Sequence, residues 1–379
     1  MIYLDANATT PIAPAVLEAM LPFLRDQHAN PSASYAAARQ VRRAVDVARG
    51  AVAGLLAAEP GEIIFTSGAT ESMHTTHHSV RALWPEKRRL ITTAVEHAAG
   101  LECAARWKKS GGEVCLIGVD SQGRVDLAAL ESALLDEEVA LVSVLWANNE
   151  TGVIQPLHDV VELAHAHGAL VHADAVQMPG KAKIHVREVP VDFLSLSGHK
   201  FHAPKGVGIL YVSQRVRFEP LLTGGGQEGG RRSGTENVAG IVALGKAAEL
   251  AQKPMDGTLR DAFERDLRAR WSEAVIHGQG AMRLPNTSSV HLPGVDAAGM
   301  LIMLDQRGLA CSAGSACHAG AVHPSHVLEA MGFDAEHAAE TLRISFSRMN
   351  SPEEATTGAQ IVVECAERLR SLRGSACVV

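Results

Sequence analysis

Residues 169–212 read ALVHADAVQMPGKAKIHVREVPVDFLSLSGHKFHAPKGVGILYV. Three short apolar runs stand out in it: Ala169–Ala173, Asp192–Ser197 and Val207–Val212. Each has strand length and is bounded by turn-forming residues, so each reads as a strand. Working upstream, Glu62–Thr66, Arg89–Thr93, Glu113–Ile117 and Val139–Leu145 have the same character. Ala- and Leu-rich stretches of helical length lie between many of them, among them Thr70–Leu83, Ala98–Lys109 and Leu157–His167. Such alternation predicts an α/β fold, with a mostly parallel seven-stranded sheet covered by helices on both faces. Downstream the pattern loosens at Gly224-Gly225-Gly226 and Gly229-Gly230, and a helical region follows over about Asn237 to Val275. From about residue 280 the chain reads as a smaller α+β unit. Ser288–Leu292 is a strand there, and Pro352–Leu372 is a helix with apolar Ile361, Val362, Cys365 and Leu369.

A length of 379 residues suggests about two domains. With 46% hydrophobic and 20% charged residues, the chain is neither disordered nor fibrous. The net charge is −7 and no long basic run offsets it, which argues against nucleic acid as a partner. No apolar run is long enough to span a membrane, and the start, MIYLDANATTP, does not read as a secretory signal. Six cysteines, at 103, 115, 311, 317, 365 and 377, form no CxxC pair. Their sparse spacing favours a reduced, cytoplasmic protein over a disulfide scaffold.

The residues with chemical potential follow strand ends, where open α/β sheets bind ligands. Lys200, in Ser197-Gly-His199-Lys200, can form a Schiff base with an aldehyde cofactor, or be a solvated loop lysine. Asp174, in His172-Ala-Asp174, can pair with a protonated pyridine nitrogen, or cap the next helix. Ser67-Gly68-Ala69-Thr70-Glu71-Ser72 is a Gly turn opening a helix, either a phosphate site or an ordinary capped start. His97 can stack on a planar ring or be structural, and Asn148-Asn149-Glu150-Thr151-Gly152 can bind ligand or simply turn. Cys317, in Cys311-Ser-Ala-Gly-Ser-Ala-Cys317-His318, sits among small residues that suit a mobile thiol, and His318 or His323 can help form its thiolate. Separately each bland alternative competes. Together, one sheet supplies a phosphate turn, a ring stacker, an Asn, an Asp and a Lys.

The chain resembles the cysteine desulfurases of the pyridoxal-phosphate-dependent class V aminotransferase superfamily, in the branch of nitrogen-fixation and iron–sulfur-cluster enzymes. SGATES (67–72), EH (96–97), NNETG (148–152), HADAVQ (172–177), SGHKFHAPKG (197–206), GGGQEGGRRSGTEN (224–237), GSACHAG (314–320), PSHVLEAMG (324–332) and LRISFSR (342–348) carry the resemblance. It implies a pyridoxal-phosphate-dependent transferase of fold type I, with a large cofactor-binding domain over 13–255. A small domain of 1–12 and 256–379 would carry the catalytic Cys loop. Lys200 would bind the cofactor as a Schiff base and act as base, Asp174 would pair with the ring nitrogen, and His97 would stack on the ring. Gln177 would meet the ring oxygen. Ala69, Thr70, Ser197 and His199 would hold the phosphate, joined by Thr235 from the other subunit of a homodimer. Asn149 and Arg343 would bind the substrate carboxylate, and Cys317 would take the sulfur of L-cysteine as a persulfide and pass it to a protein acceptor. No metal is expected. A selenocysteine lyase, or a class V aminotransferase or lyase of another sulfur compound, is the alternative.

Departures from the family pattern are Ala6-Asn7 in exchanged order, Tyr35 for His, Ala38 for Gly, Met73-His74 for Asn residues, and His318 after the cysteine. His74, His77 and His78 are expected to form a polar helix face rather than a metal site.

Overall fold

The structure, a computed structural model, describes residues 1–135, 138–313 and 324–376, with side chains to 372. Seven strands form one sheet in the order Ile63–Thr66, Gly208–Val212, Phe193–Ser197, Leu170–Asp174, Val139–Leu145, Arg89–Thr93, Glu113–Ile117. The strands match the expected ones to within a residue. Pairing is parallel from Phe193–Ser197 outward to Glu113–Ile117. Gly208–Val212 alone runs antiparallel to both its neighbours. The segment 198–207 is too short for a helical crossover, which takes a dozen residues or more, so the chain returns reversed.

The strands Ile63–Thr66 and Arg89–Thr93 are consecutive in the chain but five places apart in the sheet. That jump opens a crevice at the carboxyl ends, the usual ligand position in open sheets. Helices Ala69–Leu83 and Ala98–Lys109 pack on one another beside it. On the other face, Ala36–Leu56 crosses Val238–Ala251 so closely that a Cβ on Gly245 would lie 2.6 Å from Ala48 Cα. The expected helical stretch 237–275 is two helices, Val238–Ala251 and Thr258–Arg270. Pro254 and Gly257 lie in the break and interrupt helical propagation.

A second sheet, in the order Ser312–Ala313, Thr341–Ser345, Thr287–His291, Val275–Ile276, is antiparallel. It has its own apolar cluster, which includes Phe263, Trp271, Ile344, Val362 and Leu4. Leu4 is there because the N-terminal strand Ile2–Tyr3 pairs with Leu309–Ala310. After Leu4 the chain passes toward the first sheet and clamps the turn that follows Ser197. Thr10 N donates to His199 O at 2.8 Å, and His202 N donates to Thr10 Oγ1 at 2.7 Å. His202 adopts the left-handed conformation, with φ of 71°, which costs a non-glycine residue energy and is sustained by these bonds.

The three histidines of Ala69–Leu83 do not form a polar face. His77 is buried, its ring edge-on to Trp107 and His172, and neither ring nitrogen has a hydrogen-bond partner. Burial holds its pKa down at about 3, so it sits in the core as a neutral ring. His74 Nδ1 lies 3.5 Å from Cys103 Sγ, and His78 is exposed. No helix among the described residues is long and apolar enough to cross a membrane.

Candidate active site

A cavity of about 980 Å³ opens at the carboxyl ends of the large sheet. Ala69, Thr70, Ser197 and His199 line one part of it, and His97, Asn149, Asp174, Gln177, Lys200 and Arg343 line the rest. Ten of the expected site residues therefore share one space. Thr235 is exposed and does not line it in the single chain. Cys317, with His318 and His323, lies outside the described residues.

Lys200 ends the short turn Gly198–Lys200 after the strand Phe193–Ser197. Its Nζ donates to the carbonyls of Asn7 at 2.7 Å and Ala8 at 2.8 Å. Burial, reinforced by the Arg343 guanidinium, pulls its pKa down to about 8. A substantial neutral fraction at physiological pH suits a nucleophilic or basic amine. Asp174 is the last residue of its strand rather than the first of a loop. No helix follows it, so it is not a helix cap; Oδ1 accepts from Val176 N at 3.0 Å. Burial raises its pKa to about 6, against the opposing pull of Lys200. A buried carboxyl facing a large cavity is fitted to a cationic hydrogen-bond donor.

At the other end, Gly68 precedes Ala69–Leu83 with no side-chain cap, which leaves the first-turn N–H groups of Ala69 and Thr70 for an anion. The approach there is close: a Cβ on Gly208 would lie 2.5 Å from Gly68 Cα. Ser197 Oγ stands beside the same turn, 3.7 Å from where a Gly68 Cβ would be. His199 has Nδ1 3.1 Å from Thr9 Oγ1, and burial with the nearby Lys200 and Lys205 charges holds its pKa at about 4.

His97 does two things: Nδ1 accepts from Ala99 N at 3.1 Å, capping Ala98–Lys109, while the residue lines the cavity. The neighbouring Glu96 is buried, and its Oε1 accepts from Thr93 Oγ1 at 2.7 Å and Leu145 N at 2.9 Å. Burial raises its pKa to about 8, so it is held as a neutral acid at neutral pH. Asn148 is the turn-former of its pair, accepting from Glu150 N and Thr151 N, which leaves Asn149 beside the cavity.

Arg343 arrives from the other sheet, on the strand Thr341–Ser345. Nη2 pairs with Asp5 Oδ1 at 2.8 Å, Nη1 donates to Asn149 O at 3.4 Å, and the buried Nε has no partner. That buried donor is left unsatisfied, and an acceptor such as a carboxylate beside Arg343 would satisfy the guanidinium. Cys311 also lines the cavity, but burial pushes its thiol up to about 12, far from a ready thiolate.

The donor set fits pyridoxal phosphate. An amine that can capture an aldehyde, a buried carboxyl and an uncapped helix start line one cavity, a donor set matched to an aldehyde, a ring nitrogen and a phosphate.

Sequence reasoning missed Asn7 as a functional residue and recorded it only as a departure. Asn7 knits the two halves: Nδ2 donates to Asn149 O at 3.0 Å and Thr287 Oγ1 at 2.8 Å, and its carbonyl accepts from Gln177 Nε2 at 3.1 Å. Asp5 and Lys181 were missed as well. Asp5 and Asn7 lie within the opening MIYLDANATTP and Lys181 four residues after HADAVQ, and that was the only signal for any of the three.

The profile described as Aminotransferase class-V matches residues 2–357. "Cysteine desulfurase 2" of Trichormus variabilis is 45% identical over 377 residues, 98% of this chain and 94% of the relative. A cysteine desulfurase of Cereibacter sphaeroides is also 45% identical, over 98% of this chain and 97% of its own. Among solved structures, a NifS-like protein superposes with a TM-score of 0.90 at 38% identity, covering 97% of this chain and all of that one. A structure titled "SspA in complex with cysteine" has a TM-score of 0.83 at 34% identity, over 91% and 99% of the two chains. With an aminotransferase profile matching residues 2–357, this chain belongs to the class V aminotransferase family.

Proposed function

We propose that this protein is a pyridoxal-phosphate-dependent cysteine desulfurase, which converts L-cysteine to L-alanine and leaves the sulfur on Cys317. The observation that carries the reading is the convergence of Lys200 and Asp174, from one sheet, with Arg343, from the other, on a single cavity. The desulfurase relatives and the neighbour solved with cysteine support the choice of substrate.

Lys200 would hold the cofactor, Asp174 would face its ring nitrogen, Gln177 its ring oxygen and His97 its ring face. Ala69, Thr70, Ser197 and His199 would hold its phosphate, with Thr235 supplied by the partner in a homodimer. When bound, the cofactor supplies an electron sink next to the substrate Cα. Arg343 and Asn149 hold the substrate carboxylate and so fix which Cα bond faces Lys200. Lys200 Nζ would take the Cα proton. The Cys317 thiolate attacks the substrate sulfur; the Cβ–S bond breaks as the S–S bond forms, and Cβ gains a proton as alanine is completed. One thiol and one cysteine thus become one persulfide and one alanine, with no external oxidant. Dividing the transfer at a covalent sulfur intermediate makes each step easier. The persulfide then passes to a protein acceptor, in iron–sulfur cluster assembly or another sulfur-transfer pathway, in the cytoplasm.

We infer two domains, 13–255 and 1–12 with 256–379. The separate apolar cluster that joins Leu4 to Phe263, Trp271 and Val362 supports that division.

Purified protein with L-cysteine and a reductant tests the reading. Alanine and sulfide in equal amounts, abolished in Cys317→Ser while the visible band of bound cofactor persists, is the expected result. A cofactor-loaded protein that makes no alanine from L-cysteine overturns it, and turnover of L-selenocysteine alone would point to a lyase.

A further inference from the structure

Lys181 is a lysine with no role in the mechanism above, yet it is 7% exposed and lies next to the site. Among the described residues it forms no ion pair with a carboxylate. Its Nζ donates instead to Gln177 Oε1 at 2.6 Å and to Asn7 Oδ1 at 3.3 Å. The charged groups that bear on it are cations: Lys200 and Arg343 both disfavour its protonation, and Lys181 does the same to His202. Arg348 lines the same small cleft behind Lys200. Burial, together with those cations, pulls its pKa down to about 7, and a methionine or leucine would fill the space at less cost. What the lysine does there and an apolar residue cannot is donate.

The Lys181 amine donates to Gln177 whether protonated or neutral, so the atom of Gln177 it touches is the carbonyl oxygen. The other atom is then the amide nitrogen, and its partner agrees, because Nε2 donates to Asn7 O at 3.1 Å. That same carbonyl accepts from Lys200 Nζ at 2.7 Å. The Gln177 amide is therefore locked at both ends, with its N–H on the side of Lys200. A free glutamine could flip and present a carbonyl, which repels an anionic oxygen.

We propose that Lys181 is a positioning residue that fixes the Gln177 amide so that its N–H, and not its carbonyl, faces the cofactor's ring oxygen. The proposal rests on the cofactor reading above and deepens it. Its consequence is electrostatic. The linkage between Lys200 and the cofactor carries one more proton, and one more positive charge, in its acid form. A donor on the ring oxygen disfavours that form, so it lowers the pH at which the linkage titrates.

The test is a pH titration of the visible absorbance of the cofactor-loaded protein, for wild type, Lys181→Gln and Lys181→Met. Gln retains a donor, and Met removes it at similar length. The midpoint is expected to stay near wild type in K181Q and to rise by about one pH unit in K181M. A K181M midpoint equal to that of wild type overturns the proposal. If K181M does not fold, Lys181→Ala, which also removes the donor, decides in the same way. A wild-type protein with no visible cofactor band would instead refute the cofactor reading itself, so the two failures are distinguishable.

Discussion

Gly208→Ala is a substitution of one methyl group whose effect can be worked from the coordinates. Gly208 lies between Thr66 and Ser197 in the large sheet. Its added Cβ would stand 2.5 Å from Gly68 Cα, 2.7 Å from Gly68 C and 2.8 Å from Gly68 N. These are backbone atoms, so no side chain can rotate away. Ordinary carbon contacts lie at about 3.5 Å or more, and the turn must retreat by about 1 Å. That turn leads into the N–H groups of Ala69 and Thr70. Moving them by about 1 Å takes a hydrogen bond of about 2.9 Å beyond useful range. A bond to a charged acceptor is worth about 1.5–3 kcal/mol, so cofactor affinity is expected to fall about tenfold to a hundredfold. The assay is absorbance titration of the apo-protein with pyridoxal phosphate, paired with thermal melting. Gly50→Ala is the control, because nothing lies within 4 Å of its Cβ and it sits inside the helix Ala36–Leu56. It should stabilise slightly and leave affinity alone. A folded Gly208→Ala protein with a cofactor Kd within about twofold of wild type would refute the phosphate assignment.

Glu96, with its pKa raised to about 8 by burial, binds a proton in the folded state that the unfolded chain releases above about pH 4.5. Wild-type stability therefore falls as pH rises through that window and levels off above 8. Glu96→Gln mimics the neutral acid, and its melting temperature relative to wild type should climb across the same range; a constant difference would contradict the assignment. Leu4→Ala, at a fully buried position in the second core, should cost about 2–5 kcal/mol in denaturant unfolding. Arg343→Lys loses the planar fork while Asp5 remains nearby, so KM for L-cysteine should rise about tenfold or more; an unchanged KM would remove Arg343 from carboxylate binding. Gly245→Ala drives a methyl into Ala48 at 2.6 Å, and melting should show a loss of about 1–3 kcal/mol with cofactor affinity intact.

Local pattern made much of this protein legible before its coordinates. The seven strands could be read because each is a short apolar run between turn residues, and Lys200, Asp174 and His97 because each lies at or just after a strand end. Arg343 had no such local signal, and its role came only with the family resemblance. His77 was misjudged because a polar side chain on a helix gives no sign of which neighbours will cover it. Here Trp107 and His172 do.

What the sequence determined by itself is what depends on neighbours along the chain: the period of apolar residues, the turns that end strands, and the order in which the sheet delivers chemical groups. Only the tertiary structure decided which distant groups meet. Asn7 and Lys181 are 174 positions apart, Asp5 and Arg343 are 338, and no local pattern encodes either pair. The direction of Gly208–Val212 and the lock on the Gln177 amide belong to the same class. Each follows from where a donor finds an acceptor once the two cores have packed, and that is settled by the whole fold at once.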